Sequence, residues 1–399
     1  MTIKTNRLFF LDAMRAWAIL MMLQGHFIDG LLDPVFRDPG NPVFRIWQYF
    51  RGITAPVFFT VSGFIFTYLL IRVPQRRWDN PRVSKGIKRG LQLVLIGYLL
   101  RLNLFGFLFS GALYPSFYMV DVLHCIGLSI LAVIGLYLLT SKGKKYLFPL
   151  VLLGTTLILF LLEPLYKLGT YSFLPDLLAN YFTKANGSVF TIFPWLGYAA
   201  MGAFLSVVFT RFKEHRFLYS VSFALSLIVG SLLVHGSSPA FAQMYQWSGL
   251  ELFRMIEANN YLFIRLGNVL IVFAVFIALR RLMVHKTILA LGSSTLSIYV
   301  IHYIILYGSL TGLGLYRFFS ASLSPAIAVP GAILFMLLCS YLALRYNAIR
   351  PVILSQIALV QGSAKNLLIE LRIGSAPLIR EIIIRIRLAL RRFLRTVRS

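Results

Sequence analysis

Apolar residues gather in ten runs along the chain, separated by polar stretches. Most runs approach or reach the length of about 20 residues with which a helix crosses a bilayer. The pattern predicts an all-α, polytopic membrane protein, a bundle of about ten transmembrane helices, and no internal repeat is evident. The predicted segments are 8–28, 50–71, 90–110, 118–140, 146–162, 190–210, 217–234, 261–280, 287–307 and 326–344.

The polar stretches between the runs differ in charge, and this difference predicts an orientation. Lys and Arg concentrate in every second stretch, beginning with residues 72–89, and most acidic residues lie in the alternate stretches. Loops rich in Lys and Arg remain on the cytoplasmic side of a membrane. We therefore expect the basic stretches and both chain termini to be cytoplasmic, in the cell (inner or plasma) membrane.

Composition supports the membrane assignment. The chain is 58% hydrophobic and 13% charged, whereas a soluble domain carries about 25% charged residues. The net charge is +26, and most of the Lys and Arg residues lie in the short loops and the tail, so no nucleic-acid partner is predicted. Two cysteines lie within apolar runs and six histidines are scattered, a pattern that predicts neither a disulfide framework nor a metal site.

The last part of the chain differs from the rest, so we divide it into a transmembrane domain, 1–346, and a cytoplasmic tail, 347–399. Within the tail, residues 376–398 place isoleucines and leucines on one helical stripe and arginines on another face. Such a basic amphipathic helix is expected to lie on anionic lipid. The alternative is a solvated tail that binds a partner.

The first predicted helix carries Asp12, Arg15 and His26, although each charged group at membrane depth costs roughly 2.5–3.5 kcal/mol. Arg15 and His26 are separated by about 20° around a helix and roughly 16 Å along it. One face thus presents a cation towards one end and an imidazole towards the other. Asp12 can neutralise Arg15 one turn away. We interpret this helix as functional rather than as an anchor.

Further polar or aromatic side chains are predicted near the outer half of the bundle. Lipid-facing positions reject polar groups, so we expect these side chains to face inward. Each also has a purely structural interpretation. The histidines can be internally hydrogen-bonded, Arg265 can form an ion pair with Glu257 or Asp121, and Trp195 can be an aromatic residue at the membrane interface. The residues are Arg101, Asp121, His124, Trp195, Arg265, Asn268 and His302.

An Arg and a His separated by ten residues in the first membrane helix resemble the acyltransferase-3 proteins and the related heparan-α-glucosaminide N-acetyltransferase family. TAPVFFTVSGF at 54–64 and LGSSTLSIYVIHY at 291–303 add to the resemblance, which covers residues 7–310. DVLHCIG at 121–127 and FPWLG at 193–197 are more similar to the heparan-type branch. With no His between residues 27 and 123, the single-His arrangement is closer to the O-acyltransferase branch, so the acceptor atom, nitrogen or oxygen, remains open.

These families move an acyl group, usually acetyl from acetyl-CoA, across the membrane to a sugar on the far side. The resemblance implies that Arg15 and His26 are the motif residues, with acetyl-CoA as co-substrate and no permanently bound cofactor. We hypothesise that His26 is the general base, that Arg15 positions the donor and that Asp121 orients His26 or stabilises its charged form. Arg265 or Arg101 would steady the oxyanion. An acyl-His intermediate is an open alternative to direct transfer.

We assign substrate-binding roles to His124, Arg101, Trp195, Arg265, Asn268 and His302. The predicted partners are acyl-CoA, a sugar or glycan acceptor, and anionic lipid at the tail; a homo-oligomer is compatible with the sequence. Two other classes share the hydropathy pattern: a transporter or flippase, and a non-catalytic membrane scaffold. Uptake without acetyl transfer would distinguish the transporter from the enzyme.

Overall fold

A computed structural model describes residues 8–111, 113–357 and 361, and within these residues the chain is helical, without a β-sheet. We number the α-helices in chain order. They are α1 Phe9–Leu31, α2 Pro42–Ile71, α3 Pro81–Arg101, α4 Leu104–Ser110, α5 Val122–Thr140, α6 Leu147–Leu161, α7 Glu163–Tyr166, α8 Asp176–Ala179, α9 Ile192–Arg211, α10 Leu218–Ser231, α11 Ser237–Ser248, α12 Glu251–Ala258, α13 Tyr261–Ala278, α14 Lys286–Ser293, α15 Thr295–Tyr307, α16 Leu315–Phe319 and α17 Pro325–Ile357.

The all-α prediction is confirmed, whereas the number of membrane spans is only partly supported. Six of the described helices are long and apolar enough to cross a membrane, or seven if the bent pair α14 and α15 forms one span. Helix α6 is apolar but shorter, and α1 and α3 contain charged groups. Ten spans and cytoplasmic termini stay predictions.

Two helices begin earlier than the hydrophobic pattern predicts. The Asn41 side chain caps α2 by accepting from the amides of Val43 and Phe44, and Asn80 caps α3 by accepting from the Arg82 amide at 2.9 Å. A proline follows each asparagine at the first helical position, where its missing N–H costs nothing. The first turns of α3 are polar, so apolar periodicity alone places its start too late, whereas the start of α2, PVFRIWQY, is mostly apolar.

Two predicted segments also differ in shape. The segment 287–307 is bent by 69° between α14 and α15. The predicted loop 235–260 is largely helical, because α10 continues through a π-helical turn, Leu232–Gly236, into α11 and is followed by α12. A π turn is a local irregularity that lets a helix continue.

Glycines bring helices into backbone contact. A Cβ on Gly63 of α2 would collide with the backbone of Ala199, and a Cβ on Gly202 of α9 would collide with the backbone of Thr60. The hydroxyl of buried Tyr198 donates to the Leu262 carbonyl at 3.2 Å and joins α9 to α13. Small residues allow such close helix packing in membranes, where apolar surface gives no preference for protein over lipid.

Two helix pairs share one glycine arrangement. In α3 and α5, a Cβ on Gly90 would meet the Gly127 carbonyl and the reverse. In α10 and α13, Gly230 and Gly267 meet in the same reciprocal way. The second pair repeats the first 140 residues later in the chain, because Gly230 follows Gly90 and Gly267 follows Gly127 by that distance. This repeated packing unit is not evident from the sequence.

The chain divides into two units, Met1–Ala343 and Leu344–Ser399. The first contains the hydrophobic core, which involves α1, α2, α5, α9, α13 and α15. The described start of the second unit, residues 344–357, is helical. The predicted amphipathic helix at 376–398 lies outside the described residues.

Candidate functional site

A cavity of about 230 Å³ lies where the second half of α1 meets the middle of α2 and the first turns of α9 and α13. Much of its wall is apolar and includes Phe58 and Phe190. Its polar and indole-bearing lining residues are His26, Arg51, Thr54, Trp195 and Arg265. Three residues predicted from separate segments, His26, Trp195 and Arg265, are thus brought together.

His26 is held by aromatic side chains of α15. The Tyr307 hydroxyl lies 3.2 Å from His26 Nδ1, at hydrogen-bond distance. The His302 ring lies 5.3 Å from the His26 ring, edge to face. Because one imidazole nitrogen is engaged by Tyr307, the tautomer of His26 depends on which partner donates.

His302 is a second imidazole behind His26, fully buried and absent from the cavity lining. Its ring lies 4.8 Å from Tyr299. Neither ring nitrogen has a hydrogen-bond partner within the described residues. Its predicted direct contact with substrate would therefore require rearrangement.

Arg101 and Asp121 form a buried ion pair, with the Arg101 guanidinium 3.2 Å from Asp121 Oδ2. Arg101 also donates to the Ser116 carbonyl at 3.2 Å. The other Asp121 oxygen accepts from the Val122 amide at 2.7 Å. Asp121 thus caps α5 and holds Arg101, and no hydrogen bond joins it to His26 in the described structure. Neither member of the pair lines the cavity.

His124 has a structural environment. Its Nδ1 accepts from the Asp121 amide at 3.0 Å, which completes a capping box at the start of α5. Its ring lies 4.4 Å from Tyr98 and directly against Gly97. The buried ring is absent from the cavity lining, so this geometry favours the structural interpretation over substrate binding.

Asn268 is buried on α13, where its Oδ1 accepts from the Tyr49 hydroxyl at 2.7 Å. It links α13 to α2 and does not line the cavity. Arg265, one turn earlier, lies with its guanidinium 5.1 Å from the Tyr261 ring. The ion pairs considered for Arg265, with Glu257 or Asp121, are not present among the described residues.

Arg15 lies outside the cavity, near the opposite end of α1. It donates to Thr295 Oγ1 at 2.7 Å and pairs with Asp12 at 3.9 Å. A second, open cleft of about 360 Å³ is lined by Asp12, Tyr68 and Arg72. Ala18, one turn from Arg15, lines the His26 cavity. Arg15 therefore lies between the two openings.

Positive charge exceeds negative charge around Lys184, a residue that does not itself line the His26 cavity. Desolvation lowers the pKa of Lys184, and the charges of Arg265 and Lys167 lower it further, against the opposing effect of Glu163. Lys167 pairs with Glu163 at 3.3 Å. Like-charged neighbours disfavour the charged form of a lysine, so Lys184 lies in a local excess of cations.

Sequence reasoning missed two residues of this site. Arg51 lines the cavity and forms an ion pair with Asp29, and Tyr307 contacts His26. Arg51 is the second residue of the predicted segment 50–71, where an arginine next to membrane depth is itself a functional signal. Tyr307 carries no comparable signal, because its role depends on the position of α15 beside α1.

A family model described as an acyltransferase domain, Acyl_transf_3, matches residues 8–345 of the chain. No match was found among curated proteins. Within the described residues, no group of three or more His, Cys, Asp or Glu side chains is arranged to hold a metal ion.

Proposed function

The chain belongs to the acyltransferase-3 family, and on this basis we propose that it transfers an acyl group, acetyl first of all, across a membrane. The donor is cytoplasmic acyl-CoA. The acceptor is an amine or hydroxyl of a sugar or glycan on the outer side of the cell membrane. Family membership supports a multi-pass membrane acyltransferase; the donor, the acceptor and the roles of individual residues are our proposal.

The observation that carries the proposal is the position of α1 between two openings. Asp12 lines the cleft at one end, and His26 lines the cavity at the other. The Arg15 guanidinium is paired with Asp12, and the cavity reaches Ala18, a rise of about 4.5 Å along the helix from Arg15. We propose that the donor enters at the cleft and that its thioester passes Arg15 to reach His26.

The cleft has features suited to a phosphorylated donor. Arg72 lies 5.0 Å over the Tyr68 ring and begins the basic stretch 72–89. Cations there raise the local concentration of an anionic substrate. Arg15 would then contact the donor once it has entered the bundle.

At the other end, His26 acts as general base on the acceptor. Its Nδ1–H donates to the Tyr307 oxygen, which leaves the Nε2 lone pair for the acceptor proton. The acceptor atom attacks the thioester carbonyl, the acyl–sulfur bond breaks, and the imidazolium returns its proton to the departing thiolate. A positioned base of this kind contributes about 10²–10⁴ in rate.

An acyl-His26 intermediate would use the same residues in a different order, with Nε2 attacking the thioester before the acceptor arrives. The two routes differ when the acceptor is absent. A transient acyl-protein that disappears in the His26→Ala variant would identify the intermediate, whereas direct transfer leaves no acylated chain.

The proposal is tested with purified full-length protein in lipid vesicles. We expect release of CoA from acetyl-CoA in the presence of a glycan acceptor, and we expect the acetyl group to be recovered on that acceptor. Uptake of a solute without any transfer of acetyl would contradict the proposal and favour a transporter.

A further inference from the structure

The His26 cavity contains two arginines in different electrostatic situations. Arg51 is neutralised by its ion pair with Asp29. Arg265 contacts the Tyr261 ring through its guanidinium, and its Nη2 lies close to Gly52 of α2. Throughout the described part of the chain, no carboxylate lies within ion-pair distance of Arg265. A half-buried guanidinium without a counter-ion is costly.

Lys167 and Lys184 differ in the same way, since only one of them is paired with a carboxylate. Lys167 is matched by Glu163, whose carboxylate also accepts from the Tyr261 hydroxyl at 2.9 Å. Lys184 has no carboxylate partner among the described residues, and burial and the charge of Arg265 lower the pKa of its amino group. Of these four cations, Arg51 and Lys167 have carboxylate partners, whereas Arg265, which lines the cavity, and Lys184, which does not, have none among the described residues.

The same cavity offers an aromatic surface. Trp195 lines it and packs 4.7 Å from Phe190 and 5.1 Å from Phe59, so its indole is rigidly held. Aromatic side chains bury large apolar area at fixed geometry. At about 230 Å³, the cavity is below the roughly 300–1,000 Å³ of drug-sized sites, which suits a single sugar residue.

We propose that the acceptor carries an anionic group, a carboxylate or a phosphate, which binds to Arg265 in the cavity while its sugar ring lies against Trp195, and that Lys184 adds positive charge from outside the cavity lining. This inference rests on the proposed function and names its substrate class, an acidic sugar. A guanidinium is well matched to an oxyanion, because it donates two parallel hydrogen bonds. The anion supplies the counter-charge that Arg265 does not receive from the described residues.

The test measures the thermal unfolding midpoint of the purified full-length protein with four probes: glucuronate, glucose 1-phosphate, glucose and inorganic phosphate. We expect at least one of the two acidic sugars to raise Tm more than glucose and more than inorganic phosphate. The better of the two identifies the anion as carboxylate or phosphate. Equal shifts from glucose, or from inorganic phosphate alone, would overturn the inference.

Arg265→Gln and Lys184→Gln test the two cations separately. Arg265→Gln is expected to weaken binding of the acidic sugar about ten- to hundredfold, since hydrogen bonds to charged groups are stronger than neutral ones, and to leave glucose unaffected. Lys184→Gln is expected to have a smaller effect in the same direction, because Lys184 lies outside the cavity lining. Arg254→Gln is the matched control, because Arg254 is an exposed cation paired with Glu251 and absent from the cavity lining. Unchanged binding in the Arg265→Gln variant would contradict the inference.

Two further measurements separate this inference from the proposed function. His26→Ala should still bind the acidic sugar while losing acetyl transfer. If Arg265 instead steadies the oxyanion, Arg265→Gln lowers kcat for all acceptors alike, whereas anion binding raises KM for acidic acceptors only. Binding of acidic sugars by a protein that transfers no acetyl would defeat the proposed function and leave the anion site standing.

Discussion

The Tyr307 hydroxyl lies 3.2 Å from His26 Nδ1, so the last residue of α15 holds the imidazole that faces the cavity. A base that depends on a single hydrogen bond for its tautomer loses efficiency when that bond is removed. The contact between α1 and α15 is therefore part of the proposed site rather than of the core alone.

Tyr307→Phe should lower kcat about tenfold or more and leave KM for the donor unchanged, because we propose that the donor binds at the cleft near Asp12. Steady-state kinetics of acetyl transfer measure this. Tyr166→Phe is the control: its hydroxyl also makes one hydrogen bond, to the Leu159 carbonyl at 2.9 Å, away from His26. Equal losses in the two variants would show that Tyr307 acts only through stability.

Arg101→Ala should destabilise the protein by about 3–5 kcal/mol, since it leaves the Asp121 charge buried without its partner. Thermal unfolding in detergent compares the variant with Lys213→Ala. Lys213 forms an exposed pair with Glu214, and such pairs contribute about 0–1 kcal/mol. A similar small effect in both variants would mean that the Arg101–Asp121 pair is hydrated rather than buried.

Part of the site can be predicted from the sequence, because the hydrophobic pattern indicates how deep each residue lies in a membrane. His26, Trp195 and Arg265 were expected at one level, and all three line one cavity. The contacts between these side chains cannot be predicted in the same way. The edge-to-face contact of His26 with His302 depends on the position of α15 beside α1 and on the 69° bend between α14 and α15. Helix neighbours are set by close packing between distant segments, which hydropathy does not encode.

Helix boundaries show the same limit. The starts of α2 and α3 are set by the pairs Asn41-Pro42 and Asn80-Pro81, a local capping signal that a prediction from hydrophobic runs does not use. Arg15 and His26 share a helix, yet the partners of Arg15 include Thr295 from a remote segment. The distance between Arg15 and His26 along α1 can be predicted from the sequence. The presence of a separate opening at each end of this stretch cannot.

Gly63→Ala should destabilise the bundle by about 1–3 kcal/mol or more, because the added methyl would meet the backbone of Ala199 rather than a movable side chain. Gly154→Ala is the control, since nothing lies within 4 Å of a Cβ there. In a helix interior, that change is expected to stabilise by up to about 1 kcal/mol. Indistinguishable unfolding midpoints would contradict the close contact between α2 and α9.

Cysteine labelling tests the predicted orientation. The native cysteines, Cys125 and Cys339, are buried, so an introduced thiol dominates the signal. We expect an impermeant maleimide to label Ala185→Cys in intact cells, and to label Gln75→Cys only after permeabilisation, since the basic stretch 72–89 is predicted to be cytoplasmic. The reverse pattern would place the His26 cavity on the cytoplasmic side and overturn the proposed direction of transfer.

The central claim is that His26 performs acyl transfer to a glycan at the outer end of α1. Mass analysis of surface glycans from cells producing the wild type, His26→Ala or the exposed control His235→Ala at equal membrane levels tests it most directly. We predict an added acetyl group with the wild type and with His235→Ala, and none with His26→Ala. Acetylated glycans at wild-type level in the His26→Ala cells would contradict the account.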